Sequence, residues 1–336
     1  MAETVLVTGG TGFVASRCIR ELLHKNFIVH TTIRSSGKES LLRSTLNVFD
    51  ERLKVFVADL TSDAGWDEAV RGCRFVLHIA SPLIGKDEGN PDVFALPAQE
   101  GTLRVLRASV REKVKRVVMT SAAAAARPPL DSGRESVEDV WADPEDSQFD
   151  EYRKSKIRAE RIAWEFMRSE GGETEFTSIL PGAVFGPIMS EENLHGSVQI
   201  IDGMLKGKFP LLAPIGFYVV DVRDLADAHI RAILSPNAAG ERFIVAGEFM
   251  WMKEIAQTLK EHLGTVATKV STSSLPGFVV KLLAPFSSQM RSISPLVHKK
   301  FEQSSEKAKR ILGFQARSAV ETIVDCANSL RNSVRL

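Results

Sequence analysis

The sequence predicts an α/β fold, because short apolar runs alternate with helical patterns along most of its 336 residues. The apolar run 5–7 passes through glycines into a helical pattern, which is how the first βαβ unit of a nucleotide-binding sheet begins. Further strand-like runs follow at residues 27–34, 53–58, 75–80 and 116–121. A long helical pattern over residues 152–168 comes after the fifth of these strands.

Strands connected through helices pair in parallel, so these elements predict a Rossmann-type doubly wound parallel sheet. We assign this sheet to a dinucleotide-binding domain over residues 1–180. Residues 181–336 are expected to form mostly a smaller C-terminal α+β lobe that binds the substrate. Within that half, residues 218–246 are expected to return to the Rossmann sheet.

Composition and charge exclude several classes of protein. The net charge is +1, from 43 basic and 42 acidic residues, so no basic excess favours a nucleic acid. The three cysteines are far apart and lack the spacing of metal ligands, so we expect free thiols and no metal. The first strand begins too early for a targeting peptide to precede it, and the apolar stretch 278–286 is too short to span a bilayer. We therefore expect a cytoplasmic protein, a monomer or homodimer, with no nucleic-acid or membrane partner.

The glycine turn after the first strand is the first candidate binding site. Gly9 permits a sharp turn with positive φ. Gly12 lacks a Cβ, so a pyrophosphate can approach the start of the next helix, where free N–H groups favour an anion. The spacing G-x-x-G-x-x-A differs from the commoner G-x-G-x-x-G, and an ordinary tight βα turn is the alternative.

The residues after the second strand indicate which dinucleotide is bound. Sites that prefer NAD usually place an acid there for the ribose 2′-hydroxyl, but no acid lies between His30 and Gly37. Arg34 and Lys38 instead suit a 2′-phosphate, which predicts NADP(H); solvated loop charges are the alternative. Asp59, after the third strand, can accept from the adenine amino group, cap a helix starting near Thr61, or do both.

A tyrosine and a lysine open the helix after the fifth strand. Tyr152 and Lys156 are four residues apart, so both lie on one helical face. An ammonium beside a phenol favours the phenolate and lowers the tyrosine pKa, so Tyr152 could exchange a proton with a carbonyl oxygen or an alcohol. His78 lies inside an apolar run, and we interpret it as a buried structural histidine.

With these residues in place, the chain resembles the extended short-chain dehydrogenase/reductase family, also called the NAD-dependent epimerase/dehydratase family. It is most similar to the branch of dihydroflavonol reductases, cinnamoyl-CoA reductases and NADPH-dependent methylglyoxal or ketone reductases. The matching stretches span almost the whole chain: T-G-G-T-G-F-V (8–14), R-S-S-G-K (34–38), D-L (59–60), H-I-A-S-P (78–82), Y-R-K-S-K (152–156), P-G-A-V-F-G-P (181–187), D-V-R-D-L-A-D-A-H (221–229) and S-S-E-K-A-K-R-I-L-G-F (304–314).

The resemblance implies a set of site residues. Tyr152 and Lys156 would be catalytic and would also touch the cofactor, which would be NADPH or NADP+. The other cofactor contacts that it implies are Gly9, Gly10, Thr11, Gly12, Phe13, Val14, Arg34, Lys38, Asp59, Leu60, Ala80, Pro181, Val184 and Ser197. Segments that line the substrate pocket in relatives would contribute Leu83, Phe94, Met189 and Leu194, so we expect an apolar substrate.

One position departs from the family. Relatives end the fifth strand in Thr-Ser-Ser, and the second serine orients the substrate carbonyl and stabilises the developing oxyanion. This chain has Thr120-Ser121-Ala122, so Ala122 occupies the serine position. Ser121, Thr120 or a water could replace the missing hydroxyl, or an activated substrate could react without it. Alternatively the site is impaired, or the alanine is an engineered change.

The function expected from these observations is NADPH-dependent reduction of a ketone or aldehyde, on an apolar or secondary-metabolite-type carbonyl substrate. Hydride would come from NADPH and the proton from Tyr152. Two alternatives stay open: an NAD(P)-dependent epimerase, dehydratase or hydroxysteroid-type dehydrogenase, and a catalytically impaired NADPH-binding regulatory protein with Ala122 in place of serine.

Overall fold

A computed structural model describes residues 2–47, 51–81 and 92–333, with the side chains of 92–96 and 333 left out. The strands in these ranges are β1 (Thr4–Val7), β2 (Ile28–Ile33), β3 (Leu53–Val57), β4 (Phe75–His78), β5 (Arg116–Thr120), β6 (Glu175–Pro181), β7 (Ala183–Phe185), β8 (Gly216–Asp221), β9 (Arg242–Val245) and β10 (Phe249–Trp251). The helices are α1 (Phe13–His24), α2 (Glu39–Leu46), α3 (Trp66–Val70), α4 (Asp92–Arg111), α5 (Glu151–Glu170), α6 (Val198–Leu205), α7 (Val222–Leu234), α8 (Met252–Leu263), α9 (Gly277–Leu283), α10 (Ser288–Ile293), α11 (Glu306–Leu312) and α12 (Ala319–Ser333).

The main sheet has seven strands in the order β3-β2-β1-β4-β5-β6-β9, and each neighbouring pair is parallel. Apolar side chains cover both faces: α1, α2, α7 and α11 pack on one, and α3, α4 and α5 pack on the other. This is the predicted doubly wound Rossmann-type sheet. Strand order reverses between β1 and β4, which opens a crevice at the carboxyl ends of these strands, where such sheets bind ligands.

A second, three-stranded sheet in the order β10-β8-β7 belongs to the C-terminal half. It packs with α6, α8 and α12 around a separate apolar core, in agreement with the expected α+β lobe. The expected return of residues 218–246 to the main sheet is right for α7 and β9 only. Strand β8 pairs with β7 and β10 in the small sheet instead. The chain leaves the main sheet at Gly182, between β6 and β7, and β8 then adds to β7.

Other expectations concern the cysteines and the apolar stretches. Cys18, Cys73 and Cys326 are free and buried, and burial raises their thiol pKa values. No helix within the described ranges is long and apolar enough to cross a bilayer.

Candidate active site

The glycine turn has the backbone geometry that the sequence predicts. Gly9 has φ +74°, and its N–H donates to Thr32 Oγ1 at 3.0 Å. Gly12 precedes α1 in an extended conformation, and a Cβ on it would stand 3.2 Å from the Gly9 carbonyl oxygen. Helix α1 has no side-chain cap and no acidic residue in its first turn. Its first N–H groups are therefore suited to an anion, and this cradle fits a dinucleotide pyrophosphate.

Two cations follow β2 near the expected adenosine end of the site. Arg34 is exposed and has no hydrogen bond or salt bridge to any other described residue. Lys38 Nζ lies 3.0 Å from Glu192 Oε2 of the C-terminal lobe, and both side chains are partly exposed. Exposed ion pairs of this kind contribute little stability, so Lys38 can exchange its carboxylate partner for a phosphate.

Asp59 lies at the end of β3 and stabilises a local turn. Its carboxylate accepts from the Thr61 N–H at 2.8 Å and from the Thr61 hydroxyl at 2.6 Å, and these bonds lower the pKa of Asp59. The positive charge of Arg34 lowers it further. The expected helix near Thr61 is absent here, because α3 begins only at Trp66; Asp59 therefore caps a turn instead of a helix. Leu60 packs closely against Gly101 of α4, because a Cβ added to Gly101 would stand only 2.6 Å from the Cβ of Leu60.

His78, at the end of β4, is structural, as the sequence predicts. It is 2% exposed, and burial, followed by the charge of Lys156, lowers its pKa to about 3. Thr102 Oγ1 donates to Ala98 O, so it accepts from His78 Nε2, which leaves Nδ1 to accept from Thr8 Oγ1 at 3.1 Å. The Thr8 hydroxyl in turn accepts from the Ala80 N–H at 2.9 Å, which ties the exit of β4 to the glycine turn.

Tyr152 and Lys156 lie in the first turns of α5, whose N-cap Asp150 accepts from the Arg153 N–H at 2.9 Å. Lys156 is buried and its Nζ donates to the Thr120 carbonyl at 2.9 Å, at the carboxyl end of β5. Burial lowers the pKa of Lys156 to about 8, while the Glu160 carboxylate raises it. This arrangement brings the amine to the crevice edge of the main sheet.

Tyr152 is 37% exposed, and its hydroxyl has no hydrogen bond to another described residue. Desolvation raises its pKa, Arg153 lowers it and Asp150 raises it. The expectation that Lys156 lowers the tyrosine pKa is therefore not met in this structure, because the ammonium is directed at Thr120 instead. Tyr152 stays a phenol at neutral pH, which is the form that can donate a proton.

Two hydroxyl groups at the end of β5, those of Thr120 and Ser121, are candidates to replace the serine that Ala122 substitutes. Ser121 is 2% exposed and its Oγ donates to Glu160 Oε2 at 2.7 Å. Ala122 is extended at φ −150°, so its side chain faces the opposite way, as alternation along a strand requires. Thr120 Oγ1 lies 2.7 Å from His229 Nε2. The Ser121 hydroxyl is thus held by Glu160, on the face away from Ala122, and the catalytic role expected for Ser121 stays a prediction that this geometry does not favour.

Glu160 organises a buried polar network that sequence reasoning missed. It is 0% exposed, and its carboxylate accepts from Ser121, from Ser178 Oγ at 2.6 Å and from Arg242 Nε at 2.9 Å. Arg242 also donates to Ala125 O at 3.1 Å, and its guanidinium lies 3.8 Å from the ring centroid of Trp141. The sequence indicated only that Glu160 lies one helical turn after Lys156 and so on the same face of α5. It could not predict the network, because the partners of Glu160 are distant in sequence.

The segment after β6 carries three of the expected cofactor contacts. Pro181 ends β6, and the turn at Gly182 is tight, since a Cβ there would stand 2.4 Å from Tyr218 O. Val184 lies half-buried in β7, and Ser197 immediately precedes α6 without capping it. Pro181 therefore stands at the carboxyl end of β6, at the same edge of the parallel sheet as the glycine turn.

Residues 189–194 connect the C-terminal lobe to the glycine turn. Asn193 is 0% exposed; its Nδ2 donates to Thr11 O at 3.1 Å, and its Oδ1 accepts from the Met189 N–H at 3.0 Å. Met189 and Leu194 are partly buried against apolar cores, so they can line a pocket. Leu83 and the side chain of Phe94, also expected there, lie outside the described residues.

Residues 5–246 match the NAD dependent epimerase/dehydratase family. The chain belongs to this family. The family match covers the seven-stranded sheet and its crevice, and it agrees with the resemblance found in the motifs.

Several known reductases are similar to this chain over most of its length. A ketoreductase, azaE, from Aspergillus niger is 34% identical over 82% of this chain and 87% of its own length. A tetraketide alpha-pyrone reductase from Arabidopsis thaliana is 33% identical over 76% of this chain and 79% of its own. The solved structure of a yeast methylglyoxal/isovaleraldehyde reductase complexed with NADPH covers 99% of this chain and 100% of its own, with 25% identity and a TM-score of 0.81.

Proposed function

We propose that this family member is an NADPH-dependent carbonyl reductase that converts a ketone or aldehyde to an alcohol. The observation that carries the proposal is the placement of Tyr152 and Lys156. Helix α5 carries the phenol of Tyr152 one turn before the buried ammonium of Lys156, which donates to the carbonyl at the carboxyl end of β5. The reductases among the relatives support it.

In this proposal the glycine turn, Gly9 to Val14, holds the pyrophosphate at the start of α1, and Arg34 and Lys38 bind the 2′-phosphate. Contacts to the remainder of the cofactor are proposed for Asp59, Leu60, Ala80, Tyr152, Lys156, Pro181, Val184 and Ser197. NADPH, when bound, supplies a hydride to the carbonyl carbon. Tyr152 gives its hydroxyl proton to the carbonyl oxygen, which completes the alcohol, and regains a proton from solvent.

The substrate we propose is an apolar, secondary-metabolite-type carbonyl compound, bound between the cofactor domain of residues 1–180 and the smaller lobe that residues 181–336 mostly form. Partly buried apolar side chains at Met189 and Leu194 support this, as does the tetraketide alpha-pyrone that the name of one relative gives as its substrate. We also propose a cytoplasmic monomer or homodimer. Three free cysteines support a reducing compartment.

The test is NADPH oxidation by the purified protein with a panel of apolar ketones and aldehydes. Turnover of at least one carbonyl compound, with the matching alcohol as product, is the expected result. The second candidate, an NADPH-binding protein without catalysis, is favoured by Ala122 and by the occupied hydroxyls of Thr120 and Ser121. Tight NADPH binding with no turnover of any panel member would establish that candidate and reject the reductase.

Changing Arg34 to aspartate is expected to reverse the cofactor preference. The substitution removes a cation suited to the 2′-phosphate and supplies an acid for a ribose 2′-hydroxyl. Charge-assisted hydrogen bonds of this kind predict a loss of about 10- to 100-fold in kcat/KM with NADPH, and a gain with NADH. Kinetics with both cofactors measure it. Lys54→Gln, on the adjacent strand β3, is the control and should keep the wild-type preference; an unchanged ratio in Arg34→Asp would mean that Arg34 is a solvated loop charge.

The rate of reduction is expected to fall as the pH rises above about 8. Burial lowers the pKa of Lys156 to about 8, whereas that of Tyr152 is raised, so the lysine loses its proton first. Reduction uses the protonated forms; kcat/KM should therefore be constant below this pKa and fall about tenfold per pH unit above it. Lys156→Met should remove this step from the profile. Lys154 forms a salt bridge with Glu151, so Lys154→Gln should retain the step. A flat wild-type profile between about pH 7 and 9 would contradict the assignment.

A further inference from the structure

The C-terminal lobe carries an exposed apolar surface on α9 and on the turn that follows it. Phe278 is 71% exposed, Leu282 is 65% exposed and Phe286 is 85% exposed. Phe278 and Leu282 are four residues apart, so they share one face of α9, and Phe286 follows at the same spacing. These three side chains are called the apolar face below. Contiguous exposed apolar side chains with polar neighbours mark surfaces that bind another molecule.

The apolar face is held outward by an ordered framework. Val280, on the other side of α9, is buried in the core of the C-terminal lobe, against which α10 also packs. The turn between the two helices is closed by the Phe286 N–H, which donates to Leu283 O at 3.0 Å. Arg291 Nη2 of α10 donates to Pro285 O at 3.0 Å and holds the same turn. The lobe therefore fixes these side chains in solvent and does not cover them.

The segment that carries the apolar face is also basic. No aspartate or glutamate occurs between Glu261 and Glu302. Five lysines and arginines do occur there: Lys269, Lys281, Arg291, Lys299 and Lys300. This excess is larger than the net charge of +1, so the remainder of the chain is net negative. Among the residues that the structure describes, the one salt bridge formed by these five joins Lys299 to Asp131.

Two of the cations stand directly beside the apolar side chains. Lys281 is exposed and lies three residues after Phe278, which makes the two side chains neighbours on the surface of α9. Arg291 reaches the backbone carbonyl of Pro285, next to Phe286. Exposed phenylalanine and leucine flanked by cations are typical of surfaces that lie on lipid bilayers. Their apolar side chains enter the boundary between headgroups and acyl chains, and their cations attract anionic lipids.

A second copy of the chain fits this surface poorly. A two-fold contact would place the apolar face against itself and bring the cations of both copies together, with no acid from either segment to separate them. Phe286 also stands clear of the surface around it, so a rigid partner would need a matching recess. Acyl chains adapt to a projecting ring, which favours lipid as the occupant.

We propose that the apolar face and its flanking cations dock this protein on an anionic lipid bilayer, with Phe278, Leu282 and Phe286 inserted at the level of the headgroups. The cytoplasmic leaflet of cell membranes carries lipids of this charge. The expectation of no membrane partner rested on the lack of a spanning stretch, and a peripheral contact does not need one. The docking surface is independent of the reductase function proposed above.

Co-sedimentation of the purified full-length protein with lipid vesicles tests the proposal. One set of vesicles contains phosphatidylcholine alone, and the other also contains about 30% phosphatidylserine. At low salt the protein should bind the vesicles with phosphatidylserine at least about tenfold more tightly than those without it. Raising the ionic strength from about 0.1 M to about 1 M should remove most of this preference, because salt screens the lipid charge.

Single substitutions locate the contact on the surface. Leu282→Ser and Phe286→Ser should each weaken binding to the phosphatidylserine vesicles by about tenfold, because each removes an apolar side chain that would insert. Lys281→Glu should weaken it by about tenfold or more and reduce its salt dependence. Leu234→Ser is the matched control, since it makes the same change at an exposed leucine of α7, and it should bind like the wild type. Unchanged Tm values in all four variants show that their fold is intact.

Three results would overturn the proposal. Wild-type protein that does not bind the phosphatidylserine vesicles at low salt rejects it outright. Binding that is the same with and without phosphatidylserine, or the same in wild type and in a Leu282→Ser/Phe286→Ser double variant, rejects the charge or the location. A wild-type dimer that becomes a monomer in the double variant, with no vesicle binding by either protein, would assign the apolar face to a second copy of the chain; sedimentation velocity measures this.

Discussion

Replacing Tyr152 by phenylalanine is expected to lower kcat for carbonyl reduction by about 1000-fold with little change in KM, because the variant loses its general acid. The hydroxyl makes no hydrogen bond to another described residue, so its removal leaves the packing of the ring unchanged. Desolvation raises the pKa of Tyr152, so the hydroxyl stays protonated at neutral pH. Single-turnover kinetics with NADPH measure the chemical step directly.

The chain provides its own control, since Tyr218 is its only other tyrosine. Tyr218→Phe makes the same chemical change but removes a hydrogen bond to Phe301 O, at a cost of about 1 kcal/mol in stability. It should lower the Tm slightly and leave kcat within about threefold of the wild type. Equal kcat values for Tyr152→Phe and the wild type would remove Tyr152 from the mechanism.

Replacing Ala122 by serine is expected to raise kcat/KM by about 10- to 100-fold. One oxyanion donor is typically worth about 100- to 1000-fold in rate, and part of that is recovered when a donor is restored. The neighbouring hydroxyls are already engaged, since Thr120 is hydrogen-bonded to His229 and Ser121 to Glu160. A serine at position 122 would therefore add a donor that these two do not supply. Steady-state kinetics on the best substrate of the panel measure the gain.

Ser121→Ala is the matched variant on the opposite face of the same strand end. It removes one hydrogen bond from the buried Glu160 carboxylate, so it should cost about 1–3 kcal/mol in unfolding free energy while kcat/KM stays within a few-fold. Two outcomes would contradict this account. Loss of activity in Ser121→Ala at unchanged stability would restore Ser121 as the donor, and no gain in Ala122→Ser would mean that another group already fills the role.

The sequence was sufficient for the main sheet and the glycine turn because both depend on local patterns. Strand β5 was expected over residues 116–121 and lies at Arg116–Thr120, and the positive φ of Gly9 was expected from its place in the turn. The spacing of Tyr152 and Lys156 on one helix was equally local. Their roles stay proposals, and so do those of the residues expected at the cofactor.

What the sequence could not predict depends on partners that only folding brings together. Lys38 contacts Glu192, which is 154 positions away, and Glu160 contacts Arg242, which is 82 positions away. The direction of the Lys156 amine was missed for the same reason, since its acceptor is a backbone carbonyl on another element.

The Glu160–Arg242 pair also bears on how the chain can be cut. Arg242 lies in β9, beyond residue 180, so a fragment of residues 1–180 would leave the Glu160 carboxylate buried without its cation, a defect that typically costs about 3–5 kcal/mol. The same fragment would lack α7, whose apolar side chains cover α1. Residues 1–180 are therefore not expected to fold on their own. A fragment for expression or fusion should also include β9 and α7 from the second half of the chain.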